Sequence, residues 1–185
     1  MQTQNKGKIF ILTGERDIGK TVLCMRLIRH FRSLSIQVKG LVSPAKNQDQ
    51  KKLGLTAQDI ETGNTRDLAV FNSHWKKLQH FMKWKFVYDT FKWGNEVLNK
   101  IKYADLLVID ELGILEFNRN EGWLAGIELL DSGNFIVAVV VIRLELIGAA
   151  KKRWPRSKIF HLSASNKKEL EKELKQDISK LLFTD

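Results

Sequence analysis

Gly14-Glu15-Arg16-Asp17-Ile18-Gly19-Lys20-Thr21 concentrates the chemistry of this chain. It fits G-x-x-x-x-G-K-[ST], the pattern of a phosphate-cradling loop. Glycine at positions 14 and 19 lets the backbone turn and bring N–H groups close to phosphate oxygens. All eight residues are therefore expected to wrap the phosphates of a nucleotide, ATP or GTP. Lys20 carries a mobile positive charge to the β- and γ-phosphates, and Thr21 offers a hydroxyl to Mg²⁺. Asp17 stands where many such loops have glycine. Aspartate tolerates the left-handed backbone better than most residues, and Arg16 or a metal would offset its charge near the phosphates.

A second group follows in Leu106-Leu107-Val108-Ile109-Asp110-Glu111. An apolar strand ending in acid places carboxylates at the carboxyl edge of a sheet, where ligands bind in α/β folds. Asp110 is expected to hold Mg²⁺ through water alongside Thr21, and Glu111 to orient or deprotonate an attacking water. Glu116, on the same loop, reads either as a second catalytic or metal-shell acid or as a solvated carboxylate. Arg143 follows the run Phe135–Ile142 and reads either as a γ-phosphate contact or as a structural salt bridge. The four histidines have no Cys/His neighbours at metal-ligand spacing, and no G-x-S-x-G elbow is present.

These groups need strands to aim them and helices to cover the strands. Lys8–Thr13 reads as a strand, followed by a helix with Leu23, Leu27, Phe31 and Leu34 on one face. Ile36–Val42 reads as a second strand ended by Ser43-Pro44, with a loop over 45–52. Leu53–Ile60 and Arg66–Phe71 form a β-hairpin about Thr62-Gly63-Asn64. Phe86–Tyr88 is a short strand before a helix capped by Asp89 or Thr90, with Phe91, Leu98 and Ile101 recurring at helical spacing. A further helix opens at Asn120 or Glu121, turns Trp123, Leu124, Ile127 and Leu130 inward, and stops at Gly133. Phe135–Ile142 has the unbroken apolar character of a central strand buried on both faces. Leu144–Trp154 reads as helix, Lys158–Ser163 as the last strand, and the chain from Ser165 as a helix with Leu170, Leu174, Ile178 and Leu181 on one face. This alternation predicts an α/β fold, a mainly parallel sheet with helices on both sides. No linker divides it, so residues 1–185 read as one domain, with the hairpin and a basic, aromatic insert over about 44–88.

Composition narrows the partners. The 185 residues carry 31 Lys plus Arg against 21 Asp plus Glu, a formal charge of +10. Such a balance favours nucleotides, nucleic acid or an acidic protein surface. In His74–Lys85, basic residues alternate with aromatics. That segment reads as a surface loop or hairpin arm, as a holder of single-stranded nucleic acid, or as a lid stacking Trp75 or Trp84 on a base. The single cysteine, Cys24, permits no intrachain disulfide and suits a reducing cytoplasm as a buried thiol. No signal peptide or membrane-crossing run is evident.

Read together, these motifs resemble the small P-loop nucleoside-triphosphatases described from thermophiles, with a human cancer-related relative. The resemblance rests on Thr13-Gly14 through Thr21, Gly40-Leu41-Val42-Ser43-Pro44, Gly54–Gly63 with Leu68-Ala69, and Val108-Ile109-Asp110-Glu111-Leu112-Gly113-Ile114-Leu115-Glu116. It spans about residues 8 to 143. It implies a three-layer RecA-like P-loop domain and Mg²⁺-dependent hydrolysis of nucleoside triphosphates with loose base preference. It also implies the stated roles for Lys20, Thr21, Asp110 and Glu111, and adds weight to Glu116. Ile142-Arg143 stands where that family often has His-Arg. Two other functions compete. A small nucleoside, nucleotide or polynucleotide kinase would need an arginine-rich lid, for which no motif is found. A nucleotide-dependent binding module on nucleic acid or a protein draws on the positive charge.

Overall fold

The computed structural model describes residues 7–48, 51–71 and 84–183. Nine strands and six α-helices alternate along them. The first half runs β1 (Lys8–Gly14), α1 (Lys20–Ser33), β2 (Val38–Val42), β3 (Ala45–Gln48), β4 (Lys51–Asp59), β5 (Thr65–Phe71) and β6 (Trp84–Phe86). The second half runs α2 (Tyr88–Lys100), β7 (Ala104–Leu112), α3 (Ile114–Asn118), α4 (Leu124–Ser132), β8 (Phe135–Ile142), α5 (Ile147–Arg153), β9 (Lys158–Leu162) and α6 (Lys167–Leu182). The strands form one mixed sheet in the order β6-β5-β4-β2-β7-β8-β1-β9, with β3 paired to β4. Its parallel part, β2-β7-β8-β1-β9, places β8 between β1 and β7. This is the α/β architecture expected from the alternating pattern.

Two apolar layers hold the sheet. On one face Phe10, Leu12, Val108, Val139 and Val141 pack against Leu23, Leu27 and Phe31 of α1 and Leu170, Leu174 and Ile178 of α6. On the other, Ile9, Ile11, Ile109, Val140 and Ile142 pack against Phe91 and Leu98 of α2, Trp123, and Ile127 and Leu130 of α4. Alternate residues of one strand serve opposite faces, which is why β8 is a continuous apolar run. Its residues from Val137 to Ile142 are all fully buried.

Several boundaries differ from the sequence expectations. Ser43-Pro44 does not end the pairing, and residues 45–48 are strand rather than loop. Pro44 lacks an N–H, but its carbonyl accepts from the Thr56 N–H, so β3 resumes the antiparallel ladder with β4. The expected hairpin is present as β4–β5, and β4 pairs with β2 at Leu41↔Asp59, so the hairpin extends the main sheet. Helix α2 begins at Tyr88, one or two residues before the expected caps. The Thr90 hydroxyl instead donates to the Asp67 carbonyl and ties α2 to β5. Helix α4 begins at Leu124, not at Asn120 or Glu121, and Gly133 ends it with φ 71° as expected. The stretch after β8 opens as a 3-10 turn, Leu144–Leu146, before α5. Leu34 and Leu181, assigned to buried helix faces, lie at the outer ends of α1 and α6 and are exposed. Residues 72–83, most of the basic, aromatic segment including Trp75, lie outside the described residues.

Among the described residues, no helix is long and apolar enough to cross a membrane. Cys24 is fully buried, and burial holds its thiol well above the ordinary range.

Candidate active site

The parallel register brings five strand ends to one edge. Gly14 pairs with Leu162, Leu41 with Ile109, and Leu112 with Ile142. The glycine loop after β1, the Asp110-Glu111 end of β7, Ser43 after β2 and Arg143 after β8 therefore converge. Strand burial demands this: each apolar strand is inside, and its first polar residues emerge where the sheet stops.

Two glycines shape the loop for different reasons. A Cβ on Gly14 would come within 2.4 Å of the Leu162 carbonyl oxygen, so close approach to β9 excludes any side chain. Gly19 has open space but adopts φ 109°, a conformation that favours glycine, as it starts α1. Asp17 takes the left-handed conformation, φ 58°, as its residue type allows. The first turn of α1 contains no acid, so nothing cancels the positive end of the helix dipole beneath the loop.

Lys20 is 9 % exposed. Its Nζ donates to the Gly14 carbonyl at 2.8 Å and the Glu15 carbonyl at 2.7 Å, which places the charge across the mouth of the loop. Burial lowers its pKa, while Glu111 and Asp110 pull the other way. Asp110 is 2 % exposed and its pKa is pushed up to about 6. Burial is the main cause; hydrogen bonds from the Thr21 hydroxyl and the Ser43 amide oppose it, and Glu111 reinforces it. The Ser43 amide donates to Asp110 Oδ2 at 3.2 Å, and its hydroxyl donates to the Asp110 carbonyl at 2.9 Å.

Glu111 accepts a hydrogen bond from Arg143 Nε, an ion pair at the same sheet edge as the glycine loop. Burial disfavours the Arg143 charge, yet Glu111 outweighs it and the pKa is raised. Glu116 is not a solvated carboxylate. Its Oε2 accepts from the Gly113 amide at 2.7 Å and its Oε1 from the Trp123 amide at 2.8 Å. Burial raises its pKa against the pull of those amides. Glu116 thus pins the turn at Gly113, just past the Glu111 end of β7, to the start of α4.

The structure therefore gathers Gly14–Thr21, Asp110, Glu111 and Arg143 at one edge, with Glu116 behind them. Ser43 was not singled out as a site residue. Its signal was its place in the Gly40–Pro44 motif, and its contact with Asp110 depends on the pairing of β2 with β7, which sequence spacing does not reveal.

A buried acid against a hydroxyl at the mouth of a glycine loop, on this sheet, defines a nucleotide-binding α/β protein of the P-loop class. A family model described as NTPase matches residues 9–175, and the chain belongs to that family. It is a nucleoside-triphosphatase by family membership. Similar proteins include nucleoside-triphosphatase THEP1 of Pyrococcus abyssi, 24% identical over 177 residues covering 94% of this chain and 93% of that one. THEP1 of Thermococcus kodakarensis is 30% identical over 137 residues, 72% of this chain and 75% of that one. Among solved structures, a human cancer-related nucleoside triphosphatase superposes with a TM-score of 0.71 at 18% identity, covering 93% of this chain and 97% of that one. THEP1 of Aquifex aeolicus gives 0.63 at 16%, covering 92% and 98%.

Proposed function

We propose that the chain, read as a single domain, hydrolyses nucleoside triphosphates to the diphosphate and phosphate, with Mg²⁺ and loose preference for the base. The observation that carries this reading is Lys20, held by the Gly14 and Glu15 carbonyls across the mouth of the Gly14–Thr21 loop, with buried Asp110 at the same sheet edge.

The donor set suits Mg²⁺. Mg²⁺ is usually held by one or two carboxylates together with substrate phosphates and water, and Asp110 and Thr21 supply hard oxygens beside the phosphate loop. Among the described residues no cluster of three or more His, Cys, Asp or Glu forms a protein-only cage. When bound, the ion would neutralise charge on the phosphates. A cation there also offsets the cost of keeping buried Asp110 ionised.

The protein's own groups do the rest. Loop amides and Lys20 hold the β- and γ-phosphates in line. Glu111 accepts a proton from water as it attacks phosphorus. The bond to the bridging oxygen breaks, and the diphosphate leaves with that electron pair. Arg143 shares its charge between Glu111 and the γ-phosphate, steadying both. Glu116 acts by bracing the turn that follows Glu111 at the end of β7, and Ser43 by fixing Asp110.

These contacts concern phosphates, which every nucleoside triphosphate shares, and this supports broad base use. Phosphate release should be measured with ATP, GTP, CTP and UTP, in Mg²⁺ and in excess chelator. The rates should lie within about tenfold of one another, a spread of ~1.4 kcal/mol. Chelator should stop release, and undiminished release without divalent cation would remove Asp110 and Thr21 from their roles.

Arg143→Ala should lower the single-turnover rate by roughly 10²-fold, the usual cost of losing one preorganised donor to developing charge. Single-turnover phosphate release checks this. A rate equal to that of the unaltered protein would leave Arg143 only its ion pair.

A further inference from the structure

Away from the nucleotide site, an open groove of ≈ 1280 Å³ runs along α6 beside His30 of α1. Lys168, Lys172, Lys175, Lys180, His30 and Phe183 line it, together with Glu171. Lys168, Lys172 and Lys175 recur at i, i+4 and i+7 and so share one face of α6. The facing helix α1 contributes His30 to the lining, carries Arg26 and Arg29 on the same stretch, and has no acid.

The acids of α6 cancel only part of this field. Glu173 and Asp177 are drawn to Lys158 on β9, at 2.8 and 2.6 Å, and Asp177 also reaches Lys180 at 3.5 Å, which leaves Lys168 and Lys172 as the groove's main cations. Glu171, the acid in the groove, is shared between Arg26 at 3.1 Å and Lys175 at 2.7 Å. Those partners lower the Glu171 pKa, with Lys175 the stronger cause. The surplus of positive charge therefore faces the groove.

The lysines are strung out along the groove. From Lys168 to Lys180 the helix advances roughly 18 Å, at ~1.5 Å per residue. A free phosphate or a mononucleotide would meet one or two of these cations, while a linear polyanion would meet them in succession. Phe183 lies in line with them and is 55 % exposed. An apolar ring beside a row of cations suits a strand of alternating phosphates and bases, since each base offers a face to stack. A run of acidic side chains alone would leave the ring unused. His30 lies ten residues beyond Lys20 on α1, about 15 Å along the helix, so the groove is separate from the phosphate loop.

We infer that the α1–α6 groove binds single-stranded nucleic acid, with Lys168, Lys172 and Lys175 on the phosphates and Phe183 stacked on a base. This surface does not depend on the hydrolytic reading of the nucleotide site.

The test is fluorescence anisotropy of the full chain with a labelled oligouridylate of about twelve nucleotides, between ~0.05 and ~0.2 M salt. Binding should weaken with salt. Lys168→Glu with Lys172→Glu should cut affinity at least about tenfold and flatten the salt slope by roughly 1.4, about 0.7 per lost phosphate contact. Phe183→Ala should weaken binding without changing the slope. Both variants should keep their phosphate release without oligonucleotide, which shows that they fold. Absence of binding at low salt, or equal binding by the double variant, would overturn the inference. So would loss of binding only in Lys76→Glu with Lys77→Glu, which moves the site to the 74–85 segment. Equal competition by polyglutamate would also overturn it in favour of an acidic protein partner.

Discussion

Lys20→Ala is expected to lower phosphate release by about 10²–10³-fold, the scale for losing a preorganised charge at a reacting group. The expectation follows from where the ammonium sits. Its Nζ spans the Gly14 and Glu15 carbonyls at 2.8 and 2.7 Å, buried inside the loop's mouth. Burial already works against its charge, and Glu111 and Asp110 are the groups that sustain it. Removing it leaves two acids beside a highly anionic substrate with one cation fewer. Nucleotide affinity should therefore fall together with turnover. Lys20→Arg should not restore the rate, because a planar guanidinium cannot occupy the position of a compact ammonium between two carbonyls. Single-turnover release and calorimetric nucleotide binding measure the two effects separately. If Lys20→Ala binds and hydrolyses as the unaltered protein does, the loop is not the phosphate site.

Glu111→Gln should separate what Lys20→Ala combines. The amide keeps the side chain's length and can still accept the Arg143 hydrogen bond, so the loop geometry survives. What it loses is the ability to take a proton from water. The expected result is a rate lower by about 10²–10⁴-fold, the usual range for a general base, with nucleotide still bound. Binding should even tighten slightly, since one negative charge near the phosphates has gone. A second consequence concerns Asp110. Burial is the main reason its pKa stands at about 6, but Glu111 adds to it. In Glu111→Gln that contribution vanishes, the Asp110 pKa falls, and more of it is ionised at a given pH near 6. Mg²⁺ binding by the variant should therefore persist to lower pH than in the unaltered protein, which a metal titration across pH 5 to 7 would show. Hydrolysis at the original rate would end the water-activating role of Glu111.

Much of this site is legible in the sequence. The loop pattern names its own residues, because phosphate needs glycine, lysine and hydroxyl at fixed offsets along a continuous turn. An apolar run ending in Asp-Glu is equally local, and so is the both-faces-buried character of Phe135–Ile142. These are properties of short segments, and short segments are what a sequence displays directly.

Less local features were not legible. That residues 45–48 form a strand depends on the Pro44 carbonyl meeting the Thr56 N–H, twelve positions away. Strand pairing is a contact between distant segments, and polar residues such as Lys46 and Asn47 show no periodicity that announces it. The start of α2 at Tyr88 was hidden because the Thr90 hydroxyl serves Asp67 on another strand instead of capping its own helix.

Glu116 and Arg143 show the division most clearly. Sequence alone left each with two meanings, catalytic or structural. The fold decided that Glu116 has both oxygens on backbone amides and that Arg143 lies on Glu111. It also decided that Ser43 braces Asp110, through the parallel pairing of β2 with β7. The sequence by itself determined the class of fold, the loop and the acidic strand end, because each is encoded in adjacent residues. Only tertiary structure decided which partner each charged side chain meets, because that depends on the order in which strands lie side by side, and that order is set by packing the whole sheet at once.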